Sequence, residues 1–145
     1  MGWKFRKRGG SLVNLKRLVY LISPNKIYKN FYNDLEKVLA SDKVEFFQLR
    51  IKKMSENKII KIGKRIKNIT RKYNVKFIIN DSIKITKKVN ADGCHIGQYD
   101  GSISEGRKKL KDKIIGVTCH NSKKLAQMAI KNKAEYVAFG SFYSS

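Results

Sequence analysis

Acidic side chains, cysteines and long apolar runs are all scarce in this chain, and each shortage closes off a class of protein. The two cysteines, Cys94 and Cys119, have no CxxC spacing, so neither a zinc site nor a secreted disulfide framework is indicated. Buried free thiols in a reducing cytosol are expected instead. No apolar run approaches the ~18 to 20 residues that a membrane span needs. The leader from Met1 to Arg8 lacks the apolar core of a secretory signal, and Arg6 stands where a myristoylation signal requires Ser or Thr. A soluble, cytoplasmic protein is expected. There is no GxGxxG after the first apolar run and no Walker lysine motif, which argues against dinucleotide and P-loop sites.

The shortage of acid is the counterpart of an excess of base. Eleven Asp and Glu face 33 Lys and Arg, a formal charge of +22, so the surface potential favours anions over a wide area. Phosphate esters, nucleic acid and acidic membranes all qualify. The basic residues are spread over nearly every segment rather than gathered on one face, and no ladder of aromatics between cations is evident. A solvated lysine-rich surface accounts for that pattern better than dedicated nucleic-acid binding.

At 145 residues with 41% hydrophobic content, the chain is long enough for one folding unit with a real core. Apolar runs of strand length recur at Leu18 to Ile22, Val44 to Leu49, Val75 to Ile79, Cys94 to Ile96, Ile114 to Thr118 and Tyr136 to Phe139. They are short, β-branched and nearly continuous, which suits parallel strands covered on both faces. Between them, Ile27, Phe31, Leu35, Val38 and Leu39 draw one helical stripe after a Ser23-Pro24-Asn25 turn. Ile59, Ile62, Ile66, Ile69 and Tyr73 draw a second, in a helix opened by Ser55. Ser102 and Glu105 suggest a capping box, and Asn121 or Ser122 a cap for the helix carrying Leu125, Met128 and Ala129. Strand and helix alternate five times and end on a sixth strand, an α/β pattern that fits a doubly wound sheet or a β/α barrel.

Polar clusters close these runs. Alternate residues of a strand share a face, so Gln48, Arg50 and Lys52 point together; the arginine fork and the lysine point charge suit a diphosphate, though a strand end emerging into solvent accounts for the triplet as well. Asn80-Asp81 closes Phe77-Ile78-Ile79, and Asp100 follows the next strand. Two carboxylates at neighbouring strand ends suit magnesium, which takes few of them and completes its shell with water and substrate phosphate. Taken singly, Asn80-Asp81 is more commonly an Asx turn or a cap before Ile83. His95 and His120 stand at or near strand ends, each better read as a hydrogen-bonded structural histidine than as a general base. Thr118 offers a hydroxyl to the same mouth. Several strand ends feeding one mouth favour the barrel.

In order, Gln48-Leu49-Arg50-Ile51-Lys52, Phe77-Ile78-Ile79-Asn80-Asp81, Asp92-Gly93-Cys94-His95-Ile96-Gly97-Gln98-Tyr99-Asp100, Gly116-Val117-Thr118-Cys119-His120 and Tyr136-Val137-Ala138-Phe139-Gly140-Ser141-Phe142-Tyr143 resemble the motifs of thiamine-phosphate synthases. The resemblance runs from about Val19 to the end of the chain. It implies a (β/α)8-barrel family and the joining of a pyrimidine diphosphate to a thiazole phosphate. It also implies that Gln48, Arg50, Lys52, Asn80, Thr118 and Ser145 bind the pyrimidine diphosphate, and that Asp81 and Asp100 bind Mg2+. Thr118 stands where the family usually has serine, and Ser145 where it commonly has threonine. No enzyme nucleophile is implied.

Against that pattern the loop lysine after strand six and strands seven and eight are absent, so a truncated product or fragment with about six of eight β/α units, inactive alone, is expected over residues 18–145. Open parallel edges invite a complementing chain or a homo-oligomer. Residues 1–17 read as a basic N-terminal extension. Two alternatives stand beside the synthase: a thiazole-tautomerase-like barrel using His120, and a non-catalytic basic protein binding anions or nucleic acid.

Overall fold

The apolar runs do become strands, and they pair in the order of the sequence. In the computed structural model, which describes residues 18–97 and 103–140, six strands form one sheet: β1 (Val19–Ile22), β2 (Val44–Leu49), β3 (Lys76–Asn80), β4 (Gly93–Ile96), β5 (Ile114–His120) and β6 (Tyr136–Phe139). Their spatial order is β1-β2-β3-β4-β5-β6, and every neighbouring pair is parallel. Five helices alternate with them: α1 (Phe31–Leu39), α2 (Glu56–Lys72), α3 (Ile83–Val89), α4 (Ile103–Leu110) and α5 (Lys123–Lys131).

That order separates the two architectures left open by the sequence. A doubly wound sheet reverses its strand order at a switch point; this one never does. With parallel crossovers of one hand, monotonic order keeps all helices on one face and leaves the other face as an interior. The core follows this division. Phe47, Leu49, Phe77 and Ile79 pack with Phe31, Leu35 and Leu39 of α1, Ile66 and Ile69 of α2, and Ile85 and Val89 of α3. Cys94, Ile96, Ile115, Val117, Cys119 and Val137 pack with Leu110, Ala126 and Ala129. Both cysteines are buried free thiols, and burial pushes the Cys119 thiol up.

The opposite face is lined by the alternate residues, among them Tyr20, Gln48, His95, Thr118 and Tyr136. Here the two edge strands meet: the hydroxyls of Tyr20 on β1 and Tyr136 on β6 lie 2.7 Å apart, and their rings are in edge contact. The sheet is therefore curled into a half-barrel. No helix among the described residues is long and apolar enough to cross a membrane.

Helix α1 begins at Phe31 rather than at the expected Ile27. The residues before it form turns, while Ile27 still packs on the core, so apolar spacing overran the helix. Ser55 caps α2 by backbone conformation alone. Ser122 caps α5 as expected, accepting from the Leu125 N–H.

Candidate functional site

The parallel sheet places the C-terminal ends of all six strands at one mouth, and β2, β3 and β5 bring expected site residues there. On β2, Gln48 is 3% exposed and its Nε2 donates to the Tyr20 hydroxyl at 2.7 Å. The strand stops at Leu49, so the alternation that would carry Arg50 and Lys52 along the same face does not apply to them. Both are exposed loop residues, and among the described residues neither enters an ion pair.

Their loop is nevertheless fixed. The Ser23 hydroxyl accepts from the Arg50 backbone N–H at 2.9 Å, the Ser23 N–H donates to the Gln48 carbonyl at 2.9 Å, and Asn25 Oδ1 accepts from the Lys52 N–H at 2.7 Å. The Ser23-Pro24-Asn25 turn thus does more than redirect the chain after β1: it holds the backbone under both cations.

On β3, Asn80 pairs in register with His95 of β4. Asp81 follows in the left-handed region with φ of 65°, a conformation that Asp adopts more readily than most residues. It is held there by its own N–H donating to the His95 carbonyl at 2.8 Å. Asn80 Nδ2 donates to Asp81 Oδ2 at 2.8 Å, orienting a carboxylate that is exposed at the mouth. The cap of α3 is not this pair but Ser82, which accepts from the Ile85 N–H at 3.1 Å. Asp92, by contrast, is structural: it accepts from the Phe77 N–H and from Lys67 Nζ.

His95 is buried, 7% exposed, and both ring nitrogens are engaged. Nε2 lies 2.7 Å from Thr118 Oγ1 on β5 and Nδ1 lies 3.0 Å from the Tyr136 hydroxyl. The Tyr136 ring stacks on the imidazole at 5.6 Å. It reaches across β5 because Gly116, paired with both His95 and Tyr136, has no side chain: a Cβ there would collide with the Tyr136 ring and hydroxyl. Burial raises the Tyr20 hydroxyl to about 12 and the Tyr136 hydroxyl well above its ordinary value, so both are neutral donor-acceptors.

Gln48, Tyr20, Tyr136, His95 and Thr118 therefore form one hydrogen-bonded chain through the interior, with Gln48 and Thr118 at its ends. Sequence reasoning found those ends and missed the two tyrosines, which read as strand apolars. A polar residue on the inner face of nearly every strand was the available signal. His120, exposed at the end of β5 with φ of 48°, stands outside this chain. Asp100 and Ser145, with residues 1–17, lie outside the described residues. Among the described residues no group of three or more His, Cys, Asp or Glu stands together.

Comparison with known proteins accords with this fold. The family model described as "Thiamine monophosphate synthase" matches residues 19–145. A thiamine-phosphate synthase of Pelagibacter ubique is 59% identical over 132 residues, covering 90% of this chain and 63% of that protein. One of Erythrobacter litoralis is 40% identical over 130 residues, covering 88% and 61%. Among solved structures, thiamine phosphate pyrophosphorylase from Pyrococcus furiosus superposes with a TM-score of 0.78 at 26% identity, covering 87% of this chain and 61% of that one. This chain thus spans less than two thirds of the length of these relatives. With the family match extending from β1 to the last residue, the chain belongs to the thiamine monophosphate synthase family.

Proposed function

We propose that this chain carries the pyrimidine-diphosphate half of a thiamine-phosphate synthase site. The reaction would join 4-amino-2-methyl-5-hydroxymethylpyrimidine diphosphate to 4-methyl-5-(2-phosphoethyl)thiazole, giving thiamine phosphate and pyrophosphate. The observation that carries this reading is the shared mouth: Gln48 near the end of β2, Asn80 and Asp81 at and just past the end of β3, and Thr118 on β5 stand at it, beside a pinned loop bearing the exposed Arg50 and Lys52.

In this reading Arg50 and Lys52 grip the diphosphate, the arginine as a planar fork and the lysine as a point charge. Gln48, Asn80 and Thr118 orient the pyrimidine. The bond between its methylene carbon and the diphosphate oxygen breaks, the electron pair leaving with pyrophosphate, and the thiazole nitrogen lone pair forms the new C–N bond. Catalysis is positioning plus stabilisation of the leaving group's charge.

Asp81 fits a magnesium ligand: it is exposed, oriented by Asn80, and hard-oxygen in donor type. Asp100 would be the second carboxylate. With so few protein donors, the shell would be completed by water and diphosphate oxygens. Bound magnesium would neutralise charge on the departing pyrophosphate. The remaining two units of an eight-unit barrel, and the thiazole-phosphate contacts with them, would fall in the part of the relatives that this chain does not span.

Calorimetric titration of the pyrimidine diphosphate, with magnesium and then with chelator, tests the reading. Saturable binding that needs magnesium is expected. Asp81→Asn, which keeps a residue tolerant of the left-handed backbone, should abolish the metal dependence. Arg50→Ala should weaken binding about 10- to 100-fold, the size of a lost charge-assisted contact. A folded protein that binds equally well in chelator has no such metal site, and one that does not bind at all is not this enzyme.

A further inference from the structure

The reaction above uses the two ends of the interior chain and leaves its middle, Tyr20, Tyr136 and His95, without a role. Only one end of the chain has a fixed sense. Gln48 Nε2 is an amide nitrogen and can only donate, and its acceptor is the Tyr20 hydroxyl. A hydroxyl that accepts becomes the better donor, and successive bonds strengthen one another when they run in one direction. Followed from Gln48, that direction has Tyr20 donating to Tyr136, Tyr136 to His95 Nδ1, and His95 Nε2–H to Thr118.

We propose that Tyr136 is a positioning residue that holds His95 as the neutral Nε2–H tautomer, so that Thr118 accepts from His95 and turns its own hydroxyl proton toward the bound pyrimidine. The polarity matters to recognition. A pyrimidine ring nitrogen is an acceptor and needs a donor. In the other tautomer Thr118 would spend its proton on His95 and meet the ring nitrogen with lone pairs. At the other end, Gln48 commits its N–H to Tyr20 and keeps its carbonyl oxygen as acceptor for an exocyclic amine. The chain would thus set both groups to read an aminopyrimidine, and select against a ring carrying a carbonyl in place of the amine. Gly116 is part of the device, since only its missing side chain lets Tyr136 reach His95.

The inference rests on the assignment of Gln48 and Thr118 to the pyrimidine, and its test separates the two. The chain has two histidines, so nitrogen-15 NMR of the imidazoles, assigned with His120→Asn, reads the His95 tautomer directly. Wild type should show protonated Nε2 and bare Nδ1; protonated Nδ1 overturns the proposal, and this measurement needs no variant at the site. Tyr136→Phe keeps the ring in its slot and removes one oxygen. It should give a mixture of tautomers and weaken the pyrimidine diphosphate about tenfold, the scale of one hydrogen bond. Inorganic pyrophosphate, gripped by the loop cations, should bind it as it binds wild type. An unaltered tautomer, or equal loss for both ligands, overturns the positioning role. Wild type that binds neither ligand yet shows the tautomer shift on Tyr136→Phe would sink the enzymatic reading and support the tautomer device.

Discussion

At the scale of the residue, Gly116 decides what the interior can be. Its place on β5 between His95 and Tyr136 makes it the floor of the slot in which the tyrosine ring lies. Gly116→Ala should therefore cost about 1–3 kcal/mol of stability as the ring is driven out. Most of that loss should vanish in a Tyr136→Ala background, where nothing occupies the slot; a double-mutant cycle by urea unfolding reads the difference, and additive effects would exclude the collision as the cause. The motif around Gly116 was evident in the sequence, but its reason was not, because register across two strands cannot be read from one strand's spacing. The same limit governed Gln48, Arg50 and Lys52. Alternation is valid only while the strand lasts, and β2 ends one residue after Gln48. The side chains of Ser23 and Asn25, which hold the cationic loop, lie 27 residues away in sequence, beyond the reach of any local pattern.

At the scale of the element, strands and helices were legible wherever apolar residues had one structural meaning. β2 and β6 have the bounds that their apolar runs suggest. α1 does not, since Ile27 packs on the core from a turn. What the apolar pattern could not show is how α4 is tied to its neighbours. Arg107 reaches from that helix to the carbonyls of Lys111, Lys113 and Lys133 and to both oxygens of Glu135. Glu135 in turn accepts from the Ile115 N–H at 2.7 Å. One guanidinium thereby joins the end of α4, the start of β5 and the approach to β6. Arg107→Met should lose about 3 kcal/mol in urea unfolding, since it removes the cationic partner of a mostly buried carboxylate and a donor to the part-buried Lys113 carbonyl. Arg107→Lys should recover little, having no planar fork; full recovery would mean that charge alone, not geometry, makes this joint.

At the scale of the whole molecule, the two ends of the sheet are joined by a pair of phenols, and that makes the closure sensitive to alkali. Burial holds the Tyr20 hydroxyl up at about 12 and pushes the Tyr136 hydroxyl well above its ordinary value, against 10.0 in an unfolded chain. The folded state keeps protons that the unfolded state releases, so the stabilising contribution of both is fully present below about pH 10, and that of Tyr20 is lost as pH rises through about 12. Thermal midpoints should fall across that window. Discharging the many lysines acts in the opposite sense by relieving repulsion, so the control is a Tyr20→Phe, Tyr136→Phe double variant, whose midpoint should be flatter above pH 10 than that of wild type; an identical decline would clear the tyrosines of responsibility. The same clasp has a kinetic consequence. Every strand pair forms between sequence neighbours, whereas the two tyrosines are 116 residues apart. Loop-closure entropy opposes so distant a contact until the intervening units have shortened the path. Each β/α unit can therefore dock on its predecessor as it is synthesised, and the hydrogen bond between Tyr20 and Tyr136 follows only after the units between them are in place.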